Sequence, residues 1–408
     1  MKCRHCSKEL TNTFLDLGFA PPSNAYLTEE DLSKSEKFYP LRVMVCDECW
    51  LAQTEDYAQA EELFSSEYAY FSSTSTSWLK HAAQYSNRII KELSLNDKSF
   101  VIEIASNDGY LLKNFVEAGV PCLGIEPTDS TAKVAEEKNI QVVREFFSES
   151  LADELSNQNK KADLIIGNNV YAHVPDINDF TKGLKKILNK KGTITLEFPH
   201  LMKLINNNQF DTIYHEHFSY LSLYTVSRIF RSHGLRIFNV EEIKTHGGSI
   251  RVFGCHEDDK RKEEKELSII LKKESDYGLQ NIETYKNFKY KVQKIKNEFV
   301  KYLIKKYDDG KKVAAYGAAA KGNTLLNYAG VKRDLLTFVC DAAKAKQEKF
   351  MPGSHIPIRS PDALSDEIVD CLVILPWNLA SEIKIEINKL VANEVEIVTF
   401  IPELKIIN

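Results

Sequence analysis

The segment Tyr214–Tyr220, with the sequence YHEHFSY, holds the densest set of proton-transfer side chains in the chain. Imidazole, carboxylate and phenol groups this close together can supply a general base, a partner that orients it and a hydrogen-bond donor. The segment could instead bind a metal or lie on the surface, but His215 and His217 lack the i,i+4 spacing of a helical zinc pair. His173, which follows a predicted strand, is a second candidate for the same chemistry.

Two CxxC pairs, Cys3 with Cys6 and Cys46 with Cys49, predict a metal site near the N-terminus. Each pair directs two sulfur atoms at one point, and two such turns complete a tetrahedral S4 shell that suits Zn2+. The alternatives are chance pairs or a redox dithiol. A redox CxxC normally follows a strand and opens a helix, and Cys3 lies too near the terminus for that. Because four cysteines fill the shell, we expect the zinc to be structural.

The stretch Val101–Tyr110 predicts a strand, a tight turn and the start of a helix. Glu126 ends the next predicted strand, where a carboxylate can accept hydrogen bonds from both ribose hydroxyls. The tripled-glycine phosphate cradle of dinucleotide sites is absent, so a nucleoside cofactor such as S-adenosylmethionine fits better than NAD. Alternatively, Glu103 and Asp108 only cap the turn and the helix. The candidate cofactor-binding residues are Glu103, Ser106, Asn107, Gly109, Tyr110, Glu126 and Asn168.

Strands that alternate with amphipathic helices must position these groups. Residues 76–256 predict a doubly wound, parallel α/β sheet, and residues 1–75 a small zinc-binding domain before it. The ten consecutive charged residues Glu257–Glu266 are of both signs and favour a solvated helix, so residues 257–308 are expected to form a helical connector. A second α/β pattern over residues 309–408 predicts a separate Rossmann-like domain.

The composition is that of an ordinary globular protein, and it excludes several classes of partner. There are 53 Lys and Arg residues against 58 Asp and Glu, and the net charge of -5 argues against a nucleic-acid partner. No apolar run approaches the roughly 20 residues of a membrane helix, and the N-terminal sequence MKCRHC has no apolar signal core. We therefore expect a cytoplasmic protein with reduced cysteines, monomeric by default and without a membrane partner.

Taken together and in this order, the motifs resemble those of the sugar C-3-methyltransferases of deoxysugar pathways. Besides the two CxxC pairs they are EIASNDGYLL (103–112), GIEP (124–127), YHEHFSY (214–220), HGGSIRVF (246–253) and YGAAAKGNTLLNY (316–328). The resemblance covers nearly the whole chain. It implies a zinc-binding N-terminal domain, a central S-adenosylmethionine domain, and a C-terminal Rossmann-like domain that helps to hold a nucleotide-linked 4-keto-deoxysugar.

The same resemblance implies catalytic roles for Tyr214, Glu216 and His217, with His173 as an additional histidine. In the mechanism that it suggests, His217 is neutral, is oriented by Glu216 and removes the proton on the carbon beside the ketone. Tyr214 or His173 donates a hydrogen bond to the developing oxyanion, and the enolate carbon attacks the methyl group of the sulfonium. Tyr68 is expected to close over the sugar.

In the C-terminal domain, the resemblance points to Lys321 and Asn323 at the start of a helix, whose free N–H groups suit phosphate oxygens. Asp341 ends the next predicted strand, where nucleotide folds bind a ribose, and His355 lies on a loop that could approach the same ligand. One departure from the family pattern is Ala105, where a glycine is usual in the first turn. Alanine needs only one methyl group of clearance there if its φ is negative.

Three other functions fit parts of the pattern. An O- or N-methyltransferase that acts on a nucleotide sugar would need neither a ketone nor a strong carbon base. A non-catalytic nucleotide-sugar-binding homologue would explain Ala105 but not the intact proton-transfer cluster. A nicotinamide-dependent sugar reductase would need the glycine fingerprint that the central domain lacks.

Overall fold

The computed structural model of the 408-residue chain describes residues 1–55, 57, 71–391 and 395–407. The strands are β1 (Asn12–Ala20), β2 (Tyr39–Val45), β3 (Ala52–Thr54), β4 (Val101–Ile104), β5 (Cys122–Ile125), β6 (Gln141–Val143), β7 (Ala162–Asn168), β8 (Leu188–Pro199), β9 (Ser219–Tyr220), β10 (Leu235–Ile243), β11 (Ser249–His256), β12 (Val313–Tyr316), β13 (Val339–Cys340), β14 (Ile358–Arg359), β15 (Cys371–Ile374), β16 (Glu396–Thr399) and β17 (Lys405–Ile406).

The α-helices of these residues are α1 (Thr76–Glu92), α2 (Lys113–Glu117), α3 (Asp129–Glu136), α4 (Glu149–Asn157), α5 (Ile177–Ile187), α6 (Leu201–Asn206), α7 (Leu223–Ser232), α8 (Lys265–Tyr277), α9 (Ile282–Asp308), α10 (Ala320–Ala329), α11 (Ala363–Asp366) and α12 (Ala380–Leu390). Short 3-10 helices span Glu30–Ser33, Ser72–Thr74, Tyr171–His173, Phe210–Thr212, Thr245–Gly247 and Trp377–Leu379. Among the helices described, none combines the length and the apolar composition that crossing a bilayer requires.

The N-terminal sheet is antiparallel and has the strand order β1-β2-β3-β9. Its first three strands come from the first 55 residues, whereas β9 comes from the end of the proton-transfer segment. Ala52 pairs with Tyr220 and Gln53 with Ser219. The segment that carries the candidate catalytic groups is therefore an edge strand of the sheet beside the CxxC pairs.

The central sheet has the order β10-β11-β8-β7-β4-β5-β6, and β4 to β8 run parallel in it. All four residues of β4 are buried, as expected for a parallel strand covered on both faces. The chain proceeds outward from β4 to β6 and then returns to the opposite side of β4 as β7. This reversal opens a crevice at the carboxyl ends of β4 and β7, where open α/β sheets bind ligands. The doubly wound central sheet predicted from the sequence is confirmed.

The helices that cover this sheet are amphipathic. In α5, Ile177, Phe180, Leu184 and Ile187 are buried, and their spacing of three and four residues places them on one face. Asp176 caps the helix, because its side chain accepts hydrogen bonds from the backbone N–H groups of residues 178 and 179.

The C-terminal domain repeats the doubly wound design on a smaller scale. Its six-stranded sheet has the order β14-β13-β12-β15-β16-β17, parallel except for β17. The reversal here lies between β12 and β15. Helix α10 begins at Ala320 directly after β12, and the preceding Ala319 offers no side-chain cap, so the N–H groups of its first turn face the crevice without a side-chain partner.

The charged run Glu257–Glu266 differs from the predicted solvated helix, because helix α8 begins only at Lys265. Arg261 explains the difference. Its guanidinium donates to the Gly192 carbonyl and the Thr193 hydroxyl and lies over the Phe238 ring, so the chain is held against the central sheet instead of coiling in solvent.

Helix α9 joins the N-terminal sheet to the C-terminal domain. One continuous hydrophobic core contains Phe14 of β1, Phe288 and Phe299 of α9, and Val313 of β12. Cys3, Cys46 and Cys49 belong to a different core, which is built mainly by the central domain. The N-terminal domain is therefore packed into both of its neighbours.

Candidate active site and zinc centre

The four N-terminal cysteines converge on one point. Their sulfur atoms all lie within 4.8 Å of one another, and the Cys3–Cys49 and Cys6–Cys46 pairs are each 3.5 Å apart. Four Zn–S bonds of about 2.3 Å in a tetrahedron place the sulfurs about 3.8 Å apart, so the four thiolates fit a zinc ion. With four cysteine ligands, the shell is closed and the metal is structural.

Local backbone geometry forms the two zinc knuckles. Each CxxC turn ends in a residue with left-handed φ, Ser7 at 63° and Trp50 at 62°, whose N–H donates to the carbonyl of the first cysteine. The Gln53 side-chain amide donates to Cys3 Sγ at 3.2 Å. Such N–H···S bonds stabilise thiolates and fix the directions of the ligands.

The carboxyl ends of the central and C-terminal sheets share one cavity of about 540 Å3. Nine of the residues predicted for catalysis, cofactor or substrate binding line it: Asn107, Tyr110, Glu126, Asn168, His173, Tyr214, Glu216, His217 and Lys321. Asn24, from the N-terminal domain, lines it as well. Parts of the chain almost 300 residues apart thus meet at one site.

The cofactor half of the cavity lies at the crevice between β4 and β7. Glu126 follows β5 and is 5% exposed, and its carboxylate accepts from the backbone N–H groups of Asn107 and Thr128. Asn168 ends β7, and within the described chain neither its Oδ1 nor its Nδ2 has a hydrogen-bond partner. A carboxylate and an unsatisfied buried amide on one wall suit the ribose hydroxyls and polar groups of S-adenosylmethionine.

Ala105 does not have the negative φ that the expectation for it named as a condition. Its φ is +56°, in the left-handed region that glycine adopts without cost, instead of the negative value that would require only clearance for a methyl group. The turn continues with Asn107 at +50° and Gly109 at +72°. The chain retains the glycine-type turn although alanine occupies its first position.

Three residues that were predicted to bind the cofactor pack in or beneath this turn and do not line the cavity. Gly109 packs against Ala135 and Ile140 with no room for a Cβ, and the Ser106 hydroxyl fills the space beside Gly124. Glu103 is 1% exposed beneath the turn, and neither carboxylate oxygen has a partner among the described residues. Its burial, and the nearby charges of Glu126 and Asp108, raise its pKa well above the ordinary value.

His217 stands at the centre of the catalytic half. Its Nδ1 donates to the backbone carbonyl of Thr212 at 2.7 Å. Its ring centroid is 4.1 Å from that of Tyr214 and 4.6 Å from that of His173. Because Nδ1 carries the proton in the neutral ring, Nε2 keeps its lone pair and can act as a base.

The partner that orients His217 differs from the prediction. The expected partner was Glu216, but the Thr212 carbonyl holds Nδ1, and the Glu216 carboxylate accepts a hydrogen bond of 2.6 Å from the Asn24 amide. His215, the other histidine of the segment, points away from the cavity and donates to the carbonyl of Pro40 in β2.

The imidazoles around the cavity are held neutral. Burial lowers the pKa of His217 well below its ordinary value, and the neighbouring His173 lowers it further, against the effect of the Thr212 carbonyl. Burial likewise lowers the pKa of His173 to about 4, although a hydrogen bond to the Glu216 backbone opposes the shift. A neutral imidazole can accept a proton, whereas an imidazolium cannot.

The C-terminal domain contributes cations to the same cavity. Lys321, at the start of α10, donates to Asn378 at 2.7 Å and lies 4.9 Å from the centre of the Trp377 ring. Lys346 also lines the cavity and donates to the Ala318 carbonyl at 2.9 Å. Two cations beside the open N-terminus of a helix form a suitable site for a diphosphate.

Other predicted substrate residues do not reach the cavity wall. Asn323 is fully buried inside α10 and accepts from Asn327, and Asp341 accepts from the N–H of Ala343 and lies 3.5 Å from Lys346. His355 pairs instead with Glu36 of the N-terminal domain at 2.9 Å, since its loop docks there. Tyr68 lies outside the described residues.

Sequence reasoning missed Asn24, Trp78, His246 and Lys346, which all line the cavity. His246 opens the HGGSIRVF motif, which served only to identify the family, and its ring lies 3.2 Å from the Asn169 amide. A histidine before two glycines could have indicated a functional turn. Asn24 and Lys346 give no such signal, because only the tertiary fold brings their loops to the cavity.

Protein-family models match three parts of the chain: a zinc binding domain at residues 3–64, a methyltransferase domain at 78–240 and a C-methyltransferase C-terminal domain at 244–402. The C-methyltransferase NovU of Streptomyces niveus is 32% identical over 407 residues, covering 100% of this chain and 97% of NovU.

Two of the solved structures that resemble the chain each match less than half of its length. An S-adenosylmethionine-dependent methyltransferase from Clostridium acetobutylicum is 14% identical, with a TM-score of 0.36, and the match covers 44% of this chain and 92% of that one. Magnesium protoporphyrin IX methyltransferase from Synechocystis is 14% identical, with a TM-score of 0.35, and the match covers 44% and 82%.

Proposed function

The chain belongs to the C-methyltransferase family, and from that premise we propose that it methylates carbon 3 of a nucleotide-linked 4-keto-deoxysugar through an enolate. It is an S-adenosylmethionine-dependent methyltransferase with a structural zinc site. Beyond this, we propose which acceptor it methylates and which side chains take part.

The environment of His217 is the observation that carries the proposal. Methylation of an oxygen or nitrogen needs no base that acts on carbon, whereas methylation of carbon beside a ketone requires removal of a C–H proton. The Thr212 carbonyl holds the proton of His217 on Nδ1, and burial keeps the ring neutral. A neutral imidazole with a free Nε2 lone pair therefore lines the cavity, and this supports His217 as the base.

The reaction follows from the groups around that base. His217 Nε2 removes the proton from carbon 3, and the electron pair delocalises onto the ketone oxygen. Tyr214 or His173, whose rings adjoin that of His217, donates a hydrogen bond to this oxygen. General-base help is typically worth 10²–10⁴-fold and one oxyanion donor about 10²–10³-fold.

Glu126, Asn107 and Asn168 would hold the cofactor, which supplies an electrophilic methyl group on a positively charged sulfur. Their task is to fix that methyl group close to the substrate carbon and in line with it, since proximity supplies much of the barrier reduction. Lys321, Lys346 and the first turn of α10 would bind the diphosphate of the sugar nucleotide. The cofactor would thus bind at the central sheet and the sugar nucleotide at the C-terminal sheet.

The test is mass spectrometry of reactions that contain S-adenosylmethionine and TDP-, GDP- or CDP-linked 4-keto sugars. We expect one methyl group on carbon and, without methyl donor, exchange of the carbon-3 hydrogen with deuterated solvent. His217→Asn should lose at least about 100-fold in both, whereas His256→Asn, at a histidine outside the cavity, should lose neither. A product methylated on oxygen or nitrogen would refute the proposal, and so would normal exchange by a folded His217→Asn variant.

A further inference from the structure

Trp377 lies where the C-terminal domain meets the turn that orients His217. It follows β15, at the reversal point of the C-terminal sheet, and its indole N–H donates to Asp211 Oδ2 at 2.7 Å. Asp211 is 1% exposed and lies in the 3-10 helix Phe210–Thr212. The next residue, Thr212, supplies the carbonyl that holds His217 Nδ1.

Three further contacts fix this turn and the loop that contains Gly247. The Thr324 hydroxyl of α10 donates to the Ile213 carbonyl at 2.8 Å. The Trp377 ring also packs directly on Gly247, where no Cβ would fit, and the Gln209 amide donates to the Gly247 carbonyl at 2.8 Å. The indole therefore clamps two loops that border the cavity.

The Asp211 carboxylate makes this contact strong. Burial raises its pKa to about 6, while the charge of Lys321 and the indole hydrogen bond act in the opposite direction. When Asp211 is ionised, the hydrogen bond that it accepts from the indole is roughly twice as strong as one to a neutral acceptor. Removing the donor leaves a buried charge with one partner fewer.

We propose that Trp377 is a positioning residue, through which the C-terminal domain sets the orientation and tautomer of the His217 ring by way of Asp211 and the Thr212 carbonyl. This inference rests on the role of His217 in the proposed function. Lys321 lies against the same indole, so the residue that would bind the diphosphate adjoins the clamp. The nucleotide-binding domain thereby helps to assemble the base.

The experiment compares Trp377→Phe, which keeps one aromatic ring but loses the N–H donor, with Tyr307→Phe on an exposed part of α9. We expect Trp377→Phe to lower kcat and carbon-3 exchange by the same factor, between about 10- and 100-fold, since misplacing a positioned group by about 1 Å can cost 100-fold. The KM for S-adenosylmethionine should stay within about twofold. Asp211→Asn, which keeps a weaker acceptor, should show a smaller loss of the same kind, and Tyr307→Phe none.

Nitrogen-15 NMR of labelled histidine provides a readout that needs no substrate. The His217 signals, identified by their loss in His217→Asn, should show the Nδ1–H tautomer in the wild type and a mixture of tautomers in Trp377→Phe. Unchanged exchange rates and unchanged His217 signals would overturn the inference; if Trp377→Phe fails to fold, the same results for Asp211→Asn decide. If the wild type exchanges no deuterium with any keto sugar, the proposed function fails, while the NMR result still decides the role of Trp377.

Discussion

Individual residues at the site show what the sequence can and cannot indicate. The residue types of the segment 214–220 predicted a base with a phenol beside it, and the structure places the rings of Tyr214 and His217 together. The orienting partner was not predictable, because it is a backbone carbonyl, and every residue has one. Glu216 was the natural expectation from its type, but the Asn24 amide, almost 200 residues away, binds it instead.

Ala105 provides a test of backbone strain at the cofactor turn. A φ of +56° costs an L-residue about 1–2 kcal/mol, and glycine would remove this strain. Glycine would also make the unfolded chain more flexible, and this lowers the free energy of unfolding by about 0.4–1 kcal/mol. We expect Ala105→Gly to raise the free energy of unfolding by about 0.5–1 kcal/mol in denaturant titrations. Ala83→Gly, in the middle of α1, should lower it by a similar amount. A loss of stability in both variants would show that Ala105 is unstrained.

His246 gives the site a pH-dependent stability. Burial, and next the charge of Lys321, lower its pKa from 6.5 to about 4 in the folded chain. Between pH 6.5 and pH 4, His246 is protonated in the unfolded chain but neutral in the folded chain. Its contribution to the free energy of unfolding is therefore present above pH 6.5 and is lost as the pH falls towards 4.

We therefore expect His246→Asn to gain stability relative to the wild type on going from pH 7 to pH 5, by up to about 2 kcal/mol, since pH 5 lies about 1.5 units below the unfolded pKa. Asparagine tolerates the left-handed φ of 50° at this position. Denaturant titrations at the two pH values measure the difference. Parallel stability curves for the two proteins would contradict the lowered pKa.

At the scale of elements, the zinc knuckles also fix the position of strand β3. Gln53, which donates to Cys3, and the adjacent Thr54 belong to β3. The Thr54 hydroxyl donates to the backbone carbonyl of His217 at 3.1 Å, and its N–H donates to that of Phe218. The metal shell therefore fixes, through one strand, the backbone of the candidate catalytic segment.

Loss of zinc should accordingly reduce both stability and activity. A metal present at 100 times its Kd contributes about 2.7 kcal/mol to folding, and we expect chelation or Cys49→Ser to remove at least this amount. Elemental analysis should find one zinc per chain in the wild type and in Cys122→Ser, whose cysteine lies outside the four-sulfur cluster. Full activity in zinc-free protein would show that the catalytic segment does not depend on the zinc site.

Strand and helix types were largely predictable, whereas tertiary docking was not. The alternation of apolar strands with amphipathic helices predicted the parallel central sheet, because parallel strands buried on both faces are largely apolar. The charged run before α8 was misassigned as helix because Arg261 finds partners on the central sheet that no local pattern reveals. The His355 loop was likewise placed by Glu36, which is distant in sequence.

At the scale of the whole molecule, the packing cores cross the domain divisions suggested by the sequence. Phe14 of the N-terminal sheet packs against Phe288 of α9 with ring centroids 5.3 Å apart, and Phe299 of the same helix packs against Phe400 of the C-terminal domain at 4.6 Å. One helix thus binds both terminal domains into a single apolar unit, a result that sequence periodicity alone could not give.

This shared core predicts coupled stability. Phe299→Ala should cost about 3–5 kcal/mol of unfolding free energy, the usual cost of emptying a buried phenylalanine site. Ile304→Ala, at an exposed site on the same helix, should change it by less than about 0.5 kcal/mol. Hydrogen exchange should show that β1 and β12 lose protection together in Phe299→Ala. Faster exchange in β12 alone would mean that the two domains unfold independently.

The pairing of β9 with β3 also limits how this protein can be recombined with its relatives. The β3 strand of an N-terminal domain taken from a homologue would not be matched to Ser219 and Tyr220 of this chain, with which it must pair. Productive chimeras should therefore exchange residues 1–55 and the segment 209–220 as one inseparable cassette, although more than 150 residues of chain lie between them.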